Sequence, residues 1–568
     1  MATDPRTTAG AAPRQGRAQQ PASHRWLPLL GWLHRSDRVS RRSDLLAGLT
    51  VGAMLVPQGM AYAALAGMPP VTGLYASVVP LVVYAMLGTS GQLAFGPVAI
   101  VSLLTASTLA PLAGGDPGTY IALAGMLALL VGAIQLALGL LRAGRLTSLL
   151  SHPVISGFTS AAAIVIATSQ LDKLLGLSIG RPDGWLARIA AIGGDLGSVH
   201  LPTLMVGIVA ITALVLGRRL GKRVPVPLLV VVLATAAVPV FGLDGAGIAV
   251  LGEVPGGLPL PSLPSAPLDT VLALLPGALI IALLSYLEGI SVARAIARRT
   301  RDRIDPDQEL IASGAANLAA GVFQAFPVAG GFSRTAVNHG AGARTPLASI
   351  VSAASVLLAL LLVAPLLRTL PQVVLAAVVV TAVIRLVDLR TAIQAWRIER
   401  TDGIALFITF VATLVIGVEI GIGIGIGASL LLSLWRVGIP RFEVERRDHA
   451  TLLRVEGALL PASSVRLLEL IEAEFDADAV PGGRVVLDLS GVPSADLSGV
   501  EALVSLDDLC RERQVELHLA SVRRGVRAPL QRAALEERFA GRIHDGPEAA
   551  LRATEPRAHR RDPAKVPG

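Results

Sequence analysis

The sequence is poor in cysteine, in charge and in catalytic motifs. One cysteine, Cys510, stands in 568 residues, which excludes an intrachain disulfide framework and a cysteine-rich metal site. Charged residues make up 16% against 53% hydrophobic, at a mean hydropathy of +0.64, too apolar for a soluble protein of this length. The first 24 residues are polar and unpatterned. They lack the apolar stretch of a secretory signal and read as disordered. No catalytic triad, nucleotide-binding loop or metal-spaced histidine pair is present, so neither an enzyme nor a cofactor is expected. The net charge of +8 comes largely from arginines between apolar runs. That suits a membrane protein with a basic inner face better than a nucleic-acid binder.

What is abundant is one apolar run after another, many reaching the ~20 residues that cross a bilayer. They read as spans at about 44–66, 71–87, 95–109, 120–141, 153–169, 203–217, 225–241 and 270–297. Six more begin near Gln308, Phe332, Pro346, Pro371, Gly403 and Val418, the last ending near Trp435. Arg35, Arg38, Arg41 and Arg42 precede the first span, so the N-terminus is expected in the cytoplasm. The loops after even-numbered spans should then be basic. They hold Arg142 and Arg145; Arg218, Arg219, Lys222 and Arg223; Arg298, Arg299, Arg301 and Arg303; and Arg385, Arg390, Arg397 and Arg400. The Gly/Pro-rich loop 242–267 has no lysine or arginine. The loop after the fifth span, with Lys173 and Arg181 among acids, fits least well. Fourteen spans are favoured over twelve, and an even count places the C-terminal part in the cytoplasm too.

The chain is organised around 325–338, Ala-Phe-Pro-Val-Ala-Gly-Gly-Phe-Ser-Arg-Thr-Ala-Val-Asn. Pro327 and the Gly330-Gly331 pair break any continuous helix. A helix restarting after Gly331 offers unpaired amides and about half a positive charge to an anion. Ser333 adds a donor and Arg334 a permanent charge. An ordinary loop with its arginine among headgroups is the alternative on this segment alone. Phe95-Gly96-Pro97-Val98 interrupts the third span as Gly331–Arg334 interrupts the tenth. Seven spans separate them, so the two halves run oppositely, and paired broken segments point to a midplane transport site.

Near Arg441 the composition turns charged and alternating. Strands are expected at 450–457, 484–489 and 515–521 and an amphipathic helix at 500–511, together a small α/β domain. The expected plan is a disordered N-terminus 1–40, a transport domain 41–437, the α/β domain 441–553 and a disordered tail 554–568.

These motifs resemble the SulP anion permease family. They are Val56-Pro57-Gln58-Gly59-Met60-Ala61-Tyr62-Ala63, Pro69–Tyr75, Phe95-Gly96-Pro97, Ser285–Arg294 and Gly330–Asn338. Asp496-Leu497-Ser498-Gly499-Val500 resembles the corresponding loop of a STAS domain, and the likeness runs over nearly all of 42–553. The resemblance implies a polytopic α-helical membrane protein of seven plus seven inverted spans, divided into core and gate domains, with a cytoplasmic α/β STAS domain. It places the anion between spans 3 and 10, lined by Gln58, Tyr62, Val98, Phe332, Ser333 and Arg334. The Phe-Ser-Arg-x-Ala-Val-Asn run is similar to that of plant proton-coupled sulfate transporters, whereas bicarbonate/sodium members lack an arginine there.

Glu288 is the expected proton-coupling group. A carboxylate in a span is costly, and a bound anion would offset Arg334 and favour its protonation, so anion and proton assist each other. A structural pairing with Arg334 is the alternative. Gln58 and Tyr62, four apart, share a helix face; both could donate to an oxyanion or serve helix packing. Asn338 and His339 are read as structural, and Gly417, Gly421, Gly423, Gly425 and Gly427 as packing glycines. Ser498 stands where bacterial STAS regulators are phosphorylated, but with one hydroxyl of the usual pair missing; a helix cap is the favoured role. The expected activity is sulfate:proton symport by a homodimer in the inner cell membrane. Bicarbonate uptake, anion exchange, a passive anion channel and a membrane-tethered signalling protein remain alternatives.

Overall fold

A computed structural model describes residues 28–554 apart from 115, 145–151, 181–183, 218, 220–224, 253–256, 363, 439–440, 448, 460, 477–479 and 481–482. The expected disorder at 1–24 and 555–568 lies outside the described residues, as do Arg145, Arg181, Arg218, Lys222 and Arg223. The chain divides into two compact units, Met1–Gly427 and Ala428–Gly568.

The first unit is helical. In order come α1 (Pro28–Arg35), α2 (Arg38–Leu65), α3 (Pro70–Tyr75), α4 (Val79–Leu87), β1 (Phe95–Gly96), α5 (Ala99–Leu109), α6 (Pro117–Leu140), α7 (His152–Thr168), α8 (Leu171–Leu175), α9 (Trp185–Gly194), α10 (Leu201–Gly217) and α11 (Val226–Phe241). Then follow α12 (Leu268–Thr300), α13 (Pro306–Val322), β2 (Ala329–Gly330), α14 (Phe332–Gly340), α15 (Leu347–Leu362), α16 (Gln372–Val383), α17 (Leu389–Ile398), α18 (Arg400–Val415) and α19 (Val418–Gly438). A helix stands at each of the fourteen expected span positions. Among the described residues, six helical stretches are long and apolar enough to cross a membrane.

Several boundaries differ from the sequence reading. Residues 28–35, expected to be disordered, form α1, whose Leu29, Leu30 and Trp32 supply an apolar stripe. The first span starts at Arg38 because Asp37 caps it, accepting from the Ser40 amide at 2.7 Å. The second span is broken between Tyr75 and Val79, where Ala76, Ser77 and Val78 form a turn before Pro80. The short helices α9 and α17 were not expected.

The helices gather into two groups. In one, α6 lies along α13, α15 along α2, α4 on α13, α12 on α5 and α6, and α14 on α2. In the other, α18 packs on α7, α10 on α16, α16 on α7, α11 on α10 and α17 on α18. These are the expected core and gate. They meet where α16 and α11 lie on α2 and α5 lies on α7, and where Ser107 Oγ of α5 donates to Glu419 Oε1 of α19 at 3.1 Å.

Small residues let the core helices approach closely. A Cβ on Gly132 of α6 would lie 2.6 Å from the Leu318 amide nitrogen, and one on Gly314 of α13 2.6 Å from that of Leu136. In α19 only part of the glycine run packs. Gly421 and Gly425 sit against Thr413 and Thr409 of α18, whereas Gly423 and Gly427 face open space. Gly417, at φ +133°, makes the turn between the two helices, a conformation that L side chains rarely adopt.

The second unit is a five-stranded sheet in the order β3 (Arg441–Arg447), β4 (Ala450–Glu456), β5 (Arg484–Gly491), β6 (Glu516–Ala520), β7 (Ile543–His544). The β3–β4 pair is antiparallel and the rest are parallel. Helices α20 (Pro461–Asp476), α21 (Leu497–Glu512), α22 (Arg524–Arg532) and α23 (Pro547–Thr554) join and flank the strands. Alternate β5 residues feed two cores. Val485, Leu487 and Leu489 join Leu503, Leu506 and Cys510, while Val486 joins Ala450, Leu452 and Ala550. Burial on both faces explains why Val485–Leu489 is apolar apart from Asp488.

Candidate anion site

The two broken spans meet. Phe95 pairs with Gly330 and Gly96 with Ala329 in a two-residue antiparallel ladder. The Gly331 amide adds a bond to Ala94 O at 3.0 Å, and the Ala94 amide donates to Thr335 Oγ1 at 3.0 Å. Helix α5 starts after Val98 and α14 after Gly331; neither start has a side-chain cap. The amides of their first turns have no intrahelical acceptor, so two positive helix ends converge from opposite directions. The sequence reading had the helix starts but not the strands. Two residues of extended backbone carry no period to detect.

The strands need glycine where they cross. Gly96 has φ +148°. A Cβ on Gly330 would lie 2.8 Å from Gly289 Cα of α12, so the strand rests directly on the helix carrying Glu288. Asn338 Nδ2 donates to Gln92 O at 2.8 Å, and His339 Nδ1 lies 2.8 Å from Gln92 Oε1. Both residues therefore tether α14 to the loop before β1. Tyr84 stacks on Phe95 at 4.6 Å, with its hydroxyl on Glu309 Oε2 at 2.6 Å.

All seven residues singled out in the sequence for binding or coupling line one cavity of about 60 Å³: Gln58, Tyr62, Val98, Glu288, Phe332, Ser333 and Arg334. Arg334 is 2% exposed. Its Nη1 donates to Pro97 O, a carbonyl at the start of the opposing segment. Its Nε and Nη2 are buried and have no hydrogen-bond partner, and neither does Glu288 Oε2. Glu288 and Arg334 thus face one cavity without an ion pair between them. A buried donor left unsatisfied is costly, and a small anion would satisfy two donors of this guanidinium together. Gln58 and Tyr62 are buried on α2, Val98 is the residue before α5, and Phe332 and Ser333 are exposed on α14.

Ala382, Val383 and Leu386 of the gate group close the cavity. The sequence reading missed this wall, because apolar residues in an apolar span carry no mark of their position.

Ser498 is far from this chemistry in sequence and belongs to the second unit. It lies half-buried in the first turn of α21. The cap there is Asp496, whose Oδ1 accepts from the Gly499 amide at 2.9 Å. The capping role expected of Ser498 thus falls to Asp496, whose carboxylate reaches the amide three residues on.

Opposed half-helices around a buried arginine, in a helical bundle split into two groups, define a multi-pass membrane transporter of the inverted-repeat type. The chain belongs to the sulfate permease family, whose profile matches residues 42–409, with a STAS domain at 441–550. It is 35% identical to the chloroplastic sulfate transporter 4.1 of Arabidopsis thaliana, over 92% of this chain and 82% of that one. It is also 35% identical to a probable sulfate transporter of Mycobacterium tuberculosis, over 90% and 95%. Among solved structures it matches the murine solute carrier 26 member A9 anion transporter in the inward-facing state. That match has a TM-score of 0.86 at 24% identity, over 96% of each chain. The transmembrane domain of the cyanobacterial bicarbonate transporter BicA matches at TM-score 0.61 and 22% identity, over 70% of this chain and 98% of that one. The protein is a member of an anion transporter family, not an enzyme.

Proposed function

We propose that the chain is a secondary active transporter of a small inorganic anion, sulfate, carried together with a proton. The observation that carries this reading is the Arg334 guanidinium, buried between two helix N-termini with Nε and Nη2 unsatisfied. The relatives at 35% identity bear the name sulfate transporter, which favours that anion over other small oxyanions. Arg334 and the first-turn amides hold the anion; Gln58, Tyr62 and Ser333 add neutral donors. Glu288 takes up the proton, because an anion in the cavity offsets Arg334 and leaves the carboxylate facing net negative charge. Cytoplasmic termini, an inner-membrane location and a homodimer complete the reading.

The test is uptake of labelled sulfate by proteoliposomes with and without an imposed pH gradient, competed by bicarbonate, chloride, molybdate and fumarate. Accumulation against the sulfate gradient, driven by the pH gradient and lost in Glu288→Gln, is expected. Accumulation that persists in Glu288→Gln removes this proton site. Flux that only runs downhill makes the protein a channel. Arg334→Gln should weaken sulfate binding by about two orders of magnitude or more, since each charge-assisted hydrogen bond contributes ~1.5–3 kcal/mol.

A further inference from the structure

Behind the anion site, three buried polar side chains form one hydrogen-bonded run whose ends reach both halves of the site. Asn317 of α13 and Gln135 of α6 are 0% exposed and Ser285 of α12 2%. Asn317 Oδ1 accepts from the Val328 amide at 2.8 Å, and its Nδ2 donates to Val328 O at 3.2 Å. One side chain thus pairs both backbone groups of Val328, the residue before β2, as a neighbouring strand would. Asn317 Nδ2 also donates to Gln135 Oε1 at 3.0 Å and Ser313 O at 3.1 Å, sharing its two hydrogens among three acceptors. Gln135 Nε2 in turn donates to Ser285 Oγ at 2.8 Å and Ala282 O at 2.9 Å. Ser285 stands three residues before Glu288 in α12, on the same side of that helix.

The run therefore joins the strand that leads to Arg334 with the helix that carries Glu288. Direct packing alone does not fix that pair. The strand β2 meets α12 through Gly330 and Gly289, where a Cβ on Gly330 would lie 2.8 Å from Gly289 Cα. Two glycines permit the close approach but bring no side chains to interlock, so the contact itself offers little resistance to sliding. The amides supply the missing register. Val328 is buried, so its N–H and C=O have no water to turn to once Asn317 is gone, and a buried group left unsatisfied is costly.

We propose that Asn317 and Gln135 are positioning residues for the anion site, setting the start of the Arg334 helix against Glu288 through the run from Val328 to Ser285. Asn317 holds the anion side, and Gln135 ties it to the proton side. The part played in coupling rests on the transport reading above; the holding of β2 does not.

Two variants separate these parts, read by sulfate uptake into proteoliposomes over a pH series and by the unfolding midpoint in detergent. Asn317→Ala removes both bonds to Val328. Its half-saturating sulfate should rise about tenfold at every pH, the scale of one to two lost hydrogen bonds. Gln135→Met keeps those bonds and cuts the tie to α12. Its half-saturating sulfate should stay within about twofold at low pH. The rise of that value with pH, expected in the unmodified chain as Glu288 loses its proton, should flatten, because the electrostatic help between two groups weakens as they separate. Lower midpoints with half-saturation and pH dependence both unchanged mean that the run only stabilises the core, and overturn the proposal. Equal weakening at every pH in Gln135→Met overturns it too. Amide exchange over 328–331 reads the holding of β2 without any transport and should quicken in Asn317→Ala. Absence of flux in the unmodified chain sinks the transport reading, whereas unchanged exchange in a folded Asn317→Ala overturns the positioning. If Asn317→Ala does not fold, the pH series of Gln135→Met decides.

Discussion

Glu309 is the carboxylate on which the position of β1 depends, and its removal tests how the crossing is held. It sits in the first turn of α13 at 1% exposure. Oε1 accepts from the Thr89 amide at 2.7 Å, Thr89 Oγ1 at 2.6 Å and the Ser90 amide at 3.1 Å; Oε2 accepts from the Tyr84 hydroxyl at 2.6 Å. Thr89 and Ser90 begin the loop that delivers β1, and Tyr84 stacks on Phe95 within it. In Glu309→Ala four donors lose their acceptor. Thr89 is part-exposed and can turn to water, but Tyr84 and the Ser90 amide are buried. Two buried orphans at ~1–3 kcal/mol each give about 2–6 kcal/mol. Four interhelical bonds at the membrane-protein average of ~0.6 kcal/mol would give about 2.4, the lower end of that range. Glu309→Gln should cost less, because an amide oxygen can serve the loop while its nitrogen donates to the Tyr84 oxygen. Tyr84→Phe removes one bond, about 0.5–1.5 kcal/mol. Thermal unfolding of the intact chain in one detergent at one scan rate should therefore rank the losses Ala, then Gln and Phe. A midpoint for Glu309→Ala at or above that of Tyr84→Phe refutes the reasoning.

Three further outcomes follow from other contacts. Gly330→Ala places a Cβ 2.8 Å from Gly289 Cα, an overpacking of about 1–3 kcal/mol; sulfate uptake should collapse while the protein still elutes as folded. Asp507, fully buried, contacts Arg511, Arg538 and Arg542 at 3.0, 2.8 and 2.6 Å. Burial pushes its carboxyl up, but hydrogen bonds from Arg542 and Arg538 outweigh that and hold it below the usual carboxylate range. A depressed folded value stabilises above the ordinary range and is lost as pH falls through it. Asp507→Asn should cost ~3–5 kcal/mol, seen as faster amide exchange in β5 and β6 at pH 7, with the gap to the unmodified chain closing in acid. Cys510 is buried and its thiol is pushed up to about 12, by burial first and then by the Asp507 charge. Maleimide should leave it unlabelled at pH 7.5 until denaturant is added.

The parts legible in the sequence were those that break a pattern. Pro327 and Gly330-Gly331 interrupt an apolar run, Arg334 and Glu288 are rare inside one, and arginine-rich loops alternate with arginine-free ones. Those irregularities mark the two broken spans and the buried charges, whereas Gln58, Tyr62 and Val98 came from the family resemblance. What stayed hidden carries no local irregularity. The two-residue strands are too short to show a period, and the gate wall of Ala382, Val383 and Leu386 looks like any other span. The turn at Ala76–Val78 sits between two stretches equally apolar on either side. The Glu309 network links residues more than 200 positions apart, and neither side names the other. In the second unit, β5 was visible as an apolar run, but β7 is two residues long and is a strand only through its pairing with β6.

Charge counting bears on why a dianion and a proton would travel together here. Arg334 and Glu288 line the cavity with no hydrogen bond between them, and with the carboxylate ionised they count as one charge of each sign. A sulfate adds two negative charges, so the ionised site carries a net charge of minus two. Taking a proton on Glu288 lowers that to minus one. A chloride in the same place gives minus one with Glu288 ionised, already the value that sulfate reaches only with its proton. Proton dependence should therefore be steeper for sulfate than for a monovalent anion carried by the same protein. Comparing uptake of the two across a series of imposed pH gradients checks this. Equal dependence would mean that the carboxylate answers to something other than the charge of the bound anion.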